Sequence, residues 1–375
     1  TRTEIVIPPT LDAAAAAAVD RNGKRGVVYT IGPSPLRVGV VWVGTDDGLI
    51  HLTSDDGQSW QNVTPSAIAP WSRVTMIEAS HFDQGAAYAS VDRHQLQDFD
   101  PYIYRTRDMG KTWQLITKGM PRGAYVHVVR EDPLRRGLLV AGTERGIHVS
   151  FDDGDNWQPL QLNMPVTSMR DFEFYGNDLI VATHGRGFWI IDDVSPLRQL
   201  SDSVTHDDAF LFKPADAINY VEGTDNGTPL QKDEPQAENP PNGAVVDYYL
   251  KRNASTPVTI EILDSSGAVI RTFSSDPNAQ QPPAGRRGAA AAQRPTLPRV
   301  SPLWQTSAEP LAATAGMHRV VWNPLRERPR GAPPADERGP LDVRYTGSFT
   351  ARLKVNGKVF TQPFTVRPDP REVRA

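Results

Sequence analysis

The sequence predicts an all-β protein in which blades of a partial β-propeller precede a separate β-sandwich. Three observations carry this. An eight-residue turn recurs three times in the first half of the chain. Strand-period alternation of apolar and polar residues surrounds each copy, and fresh strands joined by glycine-bearing turns resume near residue 244.

The repeated turn reads TSDDGQSW (Thr53 to Trp60), TRDMGKTW (Thr106 to Trp113) and SFDDGDNW (Ser150 to Trp157), with the shared pattern Ser/Thr-x-Asp-x-Gly-x-polar-Trp. Each position has a physical reason. Asp55, Asp108 and Asp152 are suited to accept backbone N–H groups across a tight turn. Gly57, Gly110 and Gly154 permit backbone angles that other residues resist. Trp60, Trp113 and Trp157 are expected to bury a large ring between neighbouring blades. These aspartates are therefore structural rather than catalytic.

A four-stranded blade is traceable around each repeat, and a fourth blade follows as MRDFEFYGN, DLIVAT, HGRG and FWIID without a repeat turn. The motif is the Asp-box, and the region resembles the BNR-repeat propellers of sialidases, tandem-propeller xyloglucanases and sortilin-type receptor domains. The segments VWVGTDDGLIHLTSDDGQSW, VDRHQLQDFDPYIY, VREDPLRRGLLVAGTERGIHVSFDDGDNWQPLQLN and VATHGRGFWIIDDVSPLRQL resemble a family of long exported bacterial proteins, described as glycosyl-hydrolase-like, sialidase-like or sortilin-like. The resemblance covers residues 25–200 and continues more weakly to the end. It implies an extracytoplasmic location (periplasmic, cell-surface or secreted) and further blades upstream. Thr1 is accordingly not expected to be the start of the gene product.

The expected domain organisation is a lead-in over residues 1–24, which includes the alanine run Ala13 to Ala18, and blades over 25–200. A charged, Pro/Gly/Asn-rich linker follows over 201–243. Its apolar run AFLFKPADAINY is expected either to close the last blade or to pack on the next domain. Residues 244–375 form the sandwich, interrupted by a low-complexity loop near 275–300. Its strand order resembles the FlgD-type immunoglobulin-like domain, through Gly316, His318, Trp322 and Asn323. No site chemistry is visible there.

Composition excludes several functions. Lys and Arg number 40 against 44 Asp and Glu, so the chain lacks the basic excess of a nucleic-acid reader. There is no cysteine, which removes disulfides, thiolate nucleophiles and cysteine-bound metal. No stretch approaches the ~20 apolar residues of a membrane-spanning helix. No cofactor motif and no zinc-type ligand spacing is present. His184, alone in THGRGFW, reads as a hydrogen-bonding residue rather than a metal ligand.

Propeller connectivity gathers the turns between second and third strands on one face, opposite the repeat turns. Those turns carry Asp46 and Asp47; Asp92, Arg93 and His94, with Asp98 and Asp100; Glu144 and Arg145; and His184 and Arg186. The second of them, DRHQLQDFDP, is far longer than the others and is where function is expected to be grafted. Asp92, Asp98 and Glu144 are the candidate catalytic carboxylates, since glycoside hydrolysis needs two across a sugar. Arg93, Arg145 and Arg186 come at positions compatible with a sialidase arginine set, but no partner Tyr–Glu pair is identifiable. The leading expectation is a propeller that binds a glycan, peptide or partner protein through this charged face. The alternatives are a sialidase- or xyloglucanase-like hydrolase and a structural subunit of a larger assembly.

Overall fold

The computed structural model describes residues 26–220, 243–276, 279, 311–324 and 345–371. The lead-in over 1–24, most of the low-complexity segment near 275–300 and residues 221–242 of the linker lie outside them. Two compact units divide at Val194 and Ser195.

The first unit is a series of antiparallel meanders. β1 (Val28–Pro33), β2 (Val41–Thr45), β3 (Ile50–Thr53) and β4 (Gln61–Asn62) form one sheet in sequence order. β5 (Arg73–Ala79), β6 (Ala87–Asp92), β7 (Tyr102–Thr106) and β8 (Gln114–Leu115) form the next. β9 (Val126–Glu131), β10 (Leu139–Thr143), β11 (Ile147–Ser150) and β12 (Gln158–Pro159) form the third. β13 (Met169–Tyr175), β14 (Asp178–Thr183) and β15 (Phe188–Ile191) form a fourth with three strands. The innermost strands β1, β5, β9 and β13 pack side by side in that order, as in a propeller.

Burial records the stacking. Every residue of β6 and β10 is buried, because blades two and three are covered on both faces. The corresponding strands of the outer blades, β2 and β14, are buried chiefly on one face. Thr30, Trp42, Ile50 and Leu52 of blade one turn toward blade two, whereas Tyr29 and Ile31 are exposed on its other side.

The three repeats fold alike. Thr53 Oγ1 donates to Asp55 Oδ1 at 2.8 Å and receives the Gly57 N–H at 2.9 Å, while the Ser59 N–H and Oγ–H both reach the Asp55 carboxylate. Thr106, Asp108, Gly110 and Thr112 repeat the pattern, as do Ser150, Asp152, Gly154 and Asn156. These bonds favour the ionised carboxylate and draw the Asp55 carboxyl down to about 2. Each turn also clamps the one between first and second strands: Asp56, Met109 and Asp153 donate their N–H groups to Gly39, Gly85 and Gly137.

The tryptophans behave unequally, which corrects the expectation that all three are buried. Trp113 Nε1 donates to the Val63 carbonyl at 2.8 Å, and Trp157 Nε1 to the Ile116 carbonyl at 2.7 Å. Val63 and Ile116 are the residues just past the fourth strands of the preceding blades. Gly110 makes room for this contact: a Cβ there would lie 2.7 Å from Val63 Cβ. Trp60 belongs to the first blade, has no preceding blade among the described residues, and is 45% exposed.

The second unit opens with two short helices, α1 (Ser195–Gln199) and α2 (Asp202–His206). Two sheets follow. β16 (Ala209–Leu211), β18 (Ala244–Leu250) and β21 (Gly316–Trp322) make one, in the order β16-β18-β21. β17 (Ala217–Asn219), β19 (Thr259–Leu263), β20 (Val269–Ser274), β22 (Gly347–Val355) and β23 (Lys358–Pro368) make the other, ordered β17-β23-β22-β19-β20. The run AFLFKPADAINY thus supplies β16 and β17. Its ladder bonds go to β18 and β23, so of the two outcomes expected for this run the pairing follows packing on the next domain rather than closing the last blade. The two sheets share one core, in which Trp322 meets Phe349 and Phe364 edge-on at 5.0 and 6.0 Å. The β22–β23 hairpin turns on Asn356 and Gly357, both at positive φ as a two-residue type I′ turn requires. Among the described residues, no helix is long and apolar enough to cross a membrane.

Two outcomes are expected from this packing. Trp157→Phe keeps a buried ring but strands the Ile116 carbonyl, so it should destabilise the first unit by about 1–3 kcal/mol, while Trp60→Phe should change stability by less than about 0.5 kcal/mol; denaturant titration compares them. The repeat carboxylates have folded pKa values below their unfolded ones, so their stabilisation is present at neutral pH and lost on acidification. For Asp55 the loss should run from pH 3.8 down through about 2, and Asp55→Asn should remove that segment of the stability–pH curve.

Candidate functional site

In blades one, three and four the turn between second and third strands is anchored to the start of that blade's first strand. Asp46, Glu144 and His184 donate their backbone N–H groups to the carbonyls of Val27, Tyr125 and Ser168. Each turn therefore lies beside the residues that open its blade's innermost strand. Those residues carry the chemistry that sequence reasoning missed.

Tyr125 is the centre. His94 stacks on its ring at 4.9 Å and 25°, Phe99 tilts against it at 6.3 Å, and His127 meets it edge-on at 5.0 Å. Tyr125 also hydrogen-bonds Glu144, and burial together with that carboxylate pushes its phenol up to about 12. It is consequently a neutral O–H donor.

Glu144 collects a second set of partners. Its Oε2 lies 2.7 Å from His127 Nε2 and accepts the Ser168 hydroxyl at 2.8 Å, while Arg170 Nη2 stands 3.9 Å away. Arg170 Nη1 is 3.4 Å from His127 Nδ1, and a guanidinium only donates. His127 therefore carries its proton on Nε2 and gives it to Glu144. Burial alone pushes the Glu144 carboxyl up, but the bonds from His127, Ser168 and Tyr125 outweigh it and hold the group below its ordinary range. Burial, reinforced by Arg170 and opposed by Glu144, holds His127 below 6.5. Ser168 and Glu144 address the same ring nitrogen, so this trio is not wired as a nucleophilic relay, in which serine and acid take opposite nitrogens.

Asp92 is almost wholly buried and is spent on His94. Its carboxylate oxygens lie 2.7 Å from His94 Nδ1, and Oδ1 also accepts the His94 backbone N–H at 2.8 Å. The pairing fixes Nδ1 as the donor and leaves Nε2 on the outer side of the ring. Asp98 takes the Tyr102 hydroxyl at 2.8 Å and pairs with Arg93 at 3.2 Å, and Arg93 lies over the Tyr102 ring. Asp100 binds Arg122 and the Gly123 N–H. Two of the loop's carboxylates thus brace the loop itself.

The remaining sequence candidates are dispersed. Asp47 is buried and accepts Thr45 Oγ1 at 2.6 Å, and Asp46 accepts the Val27 N–H at 2.7 Å. Asp46 thus serves the start of its own blade, and Asp47 braces the turn that carries it. Arg145, His184 and Arg186 are exposed, with no side-chain partner among the described residues. Asp92, His94 and Glu144 are brought together around Tyr125; Asp46, Asp47, Arg186 and the side chain of His184 are not. Tyr125, His127, Ser168 and Arg170 were legible only as i, i+2 pairs opening an inner strand, which places each pair on one face.

The Glu144 cluster weakens on acidification for two reasons of the same sign. Glu144 has a lowered folded pKa, so its contribution is lost as pH falls. His127 stays neutral in the fold while the unfolded chain takes up a proton below 6.5. NMR titration of the His127 ring should give a midpoint below 6.5, lower still in Glu144→Gln and higher in Arg170→Gln. A midpoint at or above 6.5 in the parent would contradict the arrangement.

No family model matches the chain, and no curated protein matches it. Solved structures with related architecture include YCF48 bound to D1 peptide (17% identity, TM-score 0.36, 44% of this chain and 52% of that one). They also include an ancestral GH74 enzyme (13% identity, TM-score 0.36, 67% and 32%) and the GH74 xyloglucanase from Xanthomonas campestris (14% identity, TM-score 0.35, 60% and 34%). The chain spans about half of the former and about a third of the latter two. At these scores and identities the likenesses carry no argument about chemistry. What stands on the chain's own strands and stacking is an all-β architecture of propeller blades joined to a second β unit.

Proposed function

We propose that the first unit binds a glycan on the face formed by the turns between second and third strands. The observation that carries the reading is the aromatic surface of Phe99, Tyr125 and His94, flanked by the fixed carboxylate of Glu144. Phe99 is 46% exposed, so an apolar ring face is available, and the guanidinium of Arg145, next in sequence to Glu144, is exposed with no partner among the described residues. Sugars combine such surfaces: one side of the ring is apolar, and the hydroxyls around it seek carboxylate and guanidinium partners.

Hydrolysis is the weaker reading. A general acid must hold its proton near neutral pH, whereas Glu144 is held ionised by three donors and Asp92 is committed to His94. The repeat turns, with their Asp-centred bonding, support membership among the Asp-box propellers. The two-sheet core around Trp322 supports an immunoglobulin-like, FlgD-type second domain, and together they favour an extracytoplasmic protein.

Isothermal titration with xyloglucan, sialylated and chitin-type oligosaccharides tests the proposal. One class should bind, and Phe99→Ala should weaken it at least about tenfold with an unchanged thermal midpoint. Unchanged affinity in Phe99→Ala would overturn the site. New reducing ends that vanish in Glu144→Gln would transfer the face to the hydrolase reading.

A further inference from the structure

We infer that the glycan is an acidic one, built of hexuronates, and that Arg170 is the residue that selects for their carboxylates. The inference rests on the glycan reading of the loop face and adds the class of sugar to it. It comes from how blade four delivers this arginine and from what the arginine is left to bind.

The innermost strand of each blade carries a β-bulge at the same place. Val28 and Thr30 pair with the adjacent residues Thr45 and Gly44, which leaves Tyr29 unopposed. Thr75, His127 and Arg170 are the unopposed residues of β5, β9 and β13. A bulge takes a side chain out of the alternation of its strand and re-aims it, a device that strands use beside functional sites. In β13 burial records the effect. Met169 and Phe172 are both buried, closing on Gly142 of blade three, and the two residues between them, Arg170 and Asp171, are both exposed. Regular alternation cannot bury two residues three positions apart. The bulge thus sets Arg170 beside His127, the bulged residue of blade three, and beside Glu144. It is also close enough to Tyr125 for its charge to act on the phenol.

Asp171 is spent on Arg130 at 3.1 Å, but Arg170 is not spent. Its Nη1 lies 3.4 Å from His127 Nδ1, and its Nη2 stands 3.9 Å from Glu144 Oε2, beyond hydrogen-bonding reach. Its Nε has no partner among the described residues, and its side chain is 44% exposed. Other arginines nearby differ. Arg130 engages Nε, Nη1 and Nη2, and Arg93 is held by Asp98 and the Tyr102 ring. The acceptors of the site are committed: Asp92 turns both oxygens to His94, and Glu144 Oε2 is filled by His127 and Ser168. The formal charges of Asp92 and Glu144 are matched by Arg145 and Arg170, so no excess of negative charge repels an anion. What the site has left to offer is mainly N–H. A sugar hydroxyl donates as well as accepts, whereas a carboxylate only accepts, and its two oxygens fit the parallel N–H pair of a guanidinium edge. The grip of several arginines that the sialidase resemblance implies is not assembled, because Arg93 is held by Asp98 and Arg186 stands apart from Tyr125. A single fork suits a hexuronate, whose carboxylate stands at the rim of the ring while an apolar ring face lies on Phe99.

Isothermal titration with galacturonate and mannuronate oligomers, each beside its methyl ester, tests this on the parent protein. The ester keeps the ring and removes the charge. One of the acids should bind at least about tenfold more tightly than its ester and than any xyloglucan, sialylated or chitin-type oligomer. Arg170→Gln should abolish the preference for acid over ester at an unchanged thermal midpoint. Arg170→Lys, which keeps the charge but not the fork, should lose most of it. Arg136→Gln removes the same charge from an exposed position in the turn between β9 and β10, and should leave the preference intact. Saturation with the acid should also raise the midpoint of the His127 ring, because it offsets the Arg170 charge that helps to hold it down, while the ester should not. Equal affinity for acid and ester, a preference that survives Arg170→Gln, or a His127 midpoint unmoved by the bound acid would overturn the inference. Tighter binding of a sulfated or sialylated oligosaccharide than of either hexuronate would overturn it as well. Should Arg170→Gln fail to fold, the acid–ester comparison and the His127 midpoint, both read on the parent, decide. Binding of neutral oligosaccharides alone would overturn the inference and leave the glycan reading standing, whereas binding of none would overturn both.

Discussion

A propeller blade has two apolar faces, and neither is stable against water until another sheet covers it. The residues of β6 and β10, buried without exception, show what that requirement does to a sequence: alternation disappears, and mostly small or aliphatic side chains, with Tyr88 among them, fill both sides. Stacking is secured at the rim by one directional bond, from an indole N–H to the carbonyl just past the preceding blade's fourth strand. A tight turn centred on aspartate aims that indole, and a glycine lets the neighbour's tail come close. The hydrogen bond matters less for its net energy than for register, since an unpaired buried indole would cost more than the bond returns.

Polar groups reinforce the same junctions nearer the centre. Glu131 is buried yet accepts Ser80 Oγ at 2.7 Å and the His81 N–H at 2.9 Å, both from the preceding blade. Arg105, also buried, reaches across to Asp153 and Asp155. Arg130 ties Glu78 of blade two to the Phe172 carbonyl and Asp171 of blade four. These charges are desolvated, so each is tolerable only because its partners stand on the adjoining sheet.

The loop face inherits this rigidity. His94 comes from blade two, Tyr125, His127 and Glu144 from blade three, and Ser168 and Arg170 from blade four. No single blade holds the cluster; it exists because three of them are stacked in a set orientation. The hydrogen-bond pattern fixes one tautomer of His127 and one charge state of Glu144, which suits a surface that recognises a ligand without exchanging protons with it.

Local sequence determined the strands, the three repeat turns and the existence of two β units, because period-2 alternation and Asp–Gly–Trp turns act over a few residues at a time. It also placed the turns that carry Asp92, His94 and Glu144, since strand order alone decides which end of a sheet a turn occupies. It did not reveal that Asp46 and Asp47 serve their own blade, that AFLFKP pairs with β18, or that Tyr125 and Ser168 complete the cluster. Those outcomes depend on contacts between residues far apart in the chain, such as Ser168 with Glu144 and Ala209 with Leu250. Trp60 marks the division most clearly. Its repeat is indistinguishable in sequence from the other two, and only the absence of a blade against it in the described residues leaves its ring in water.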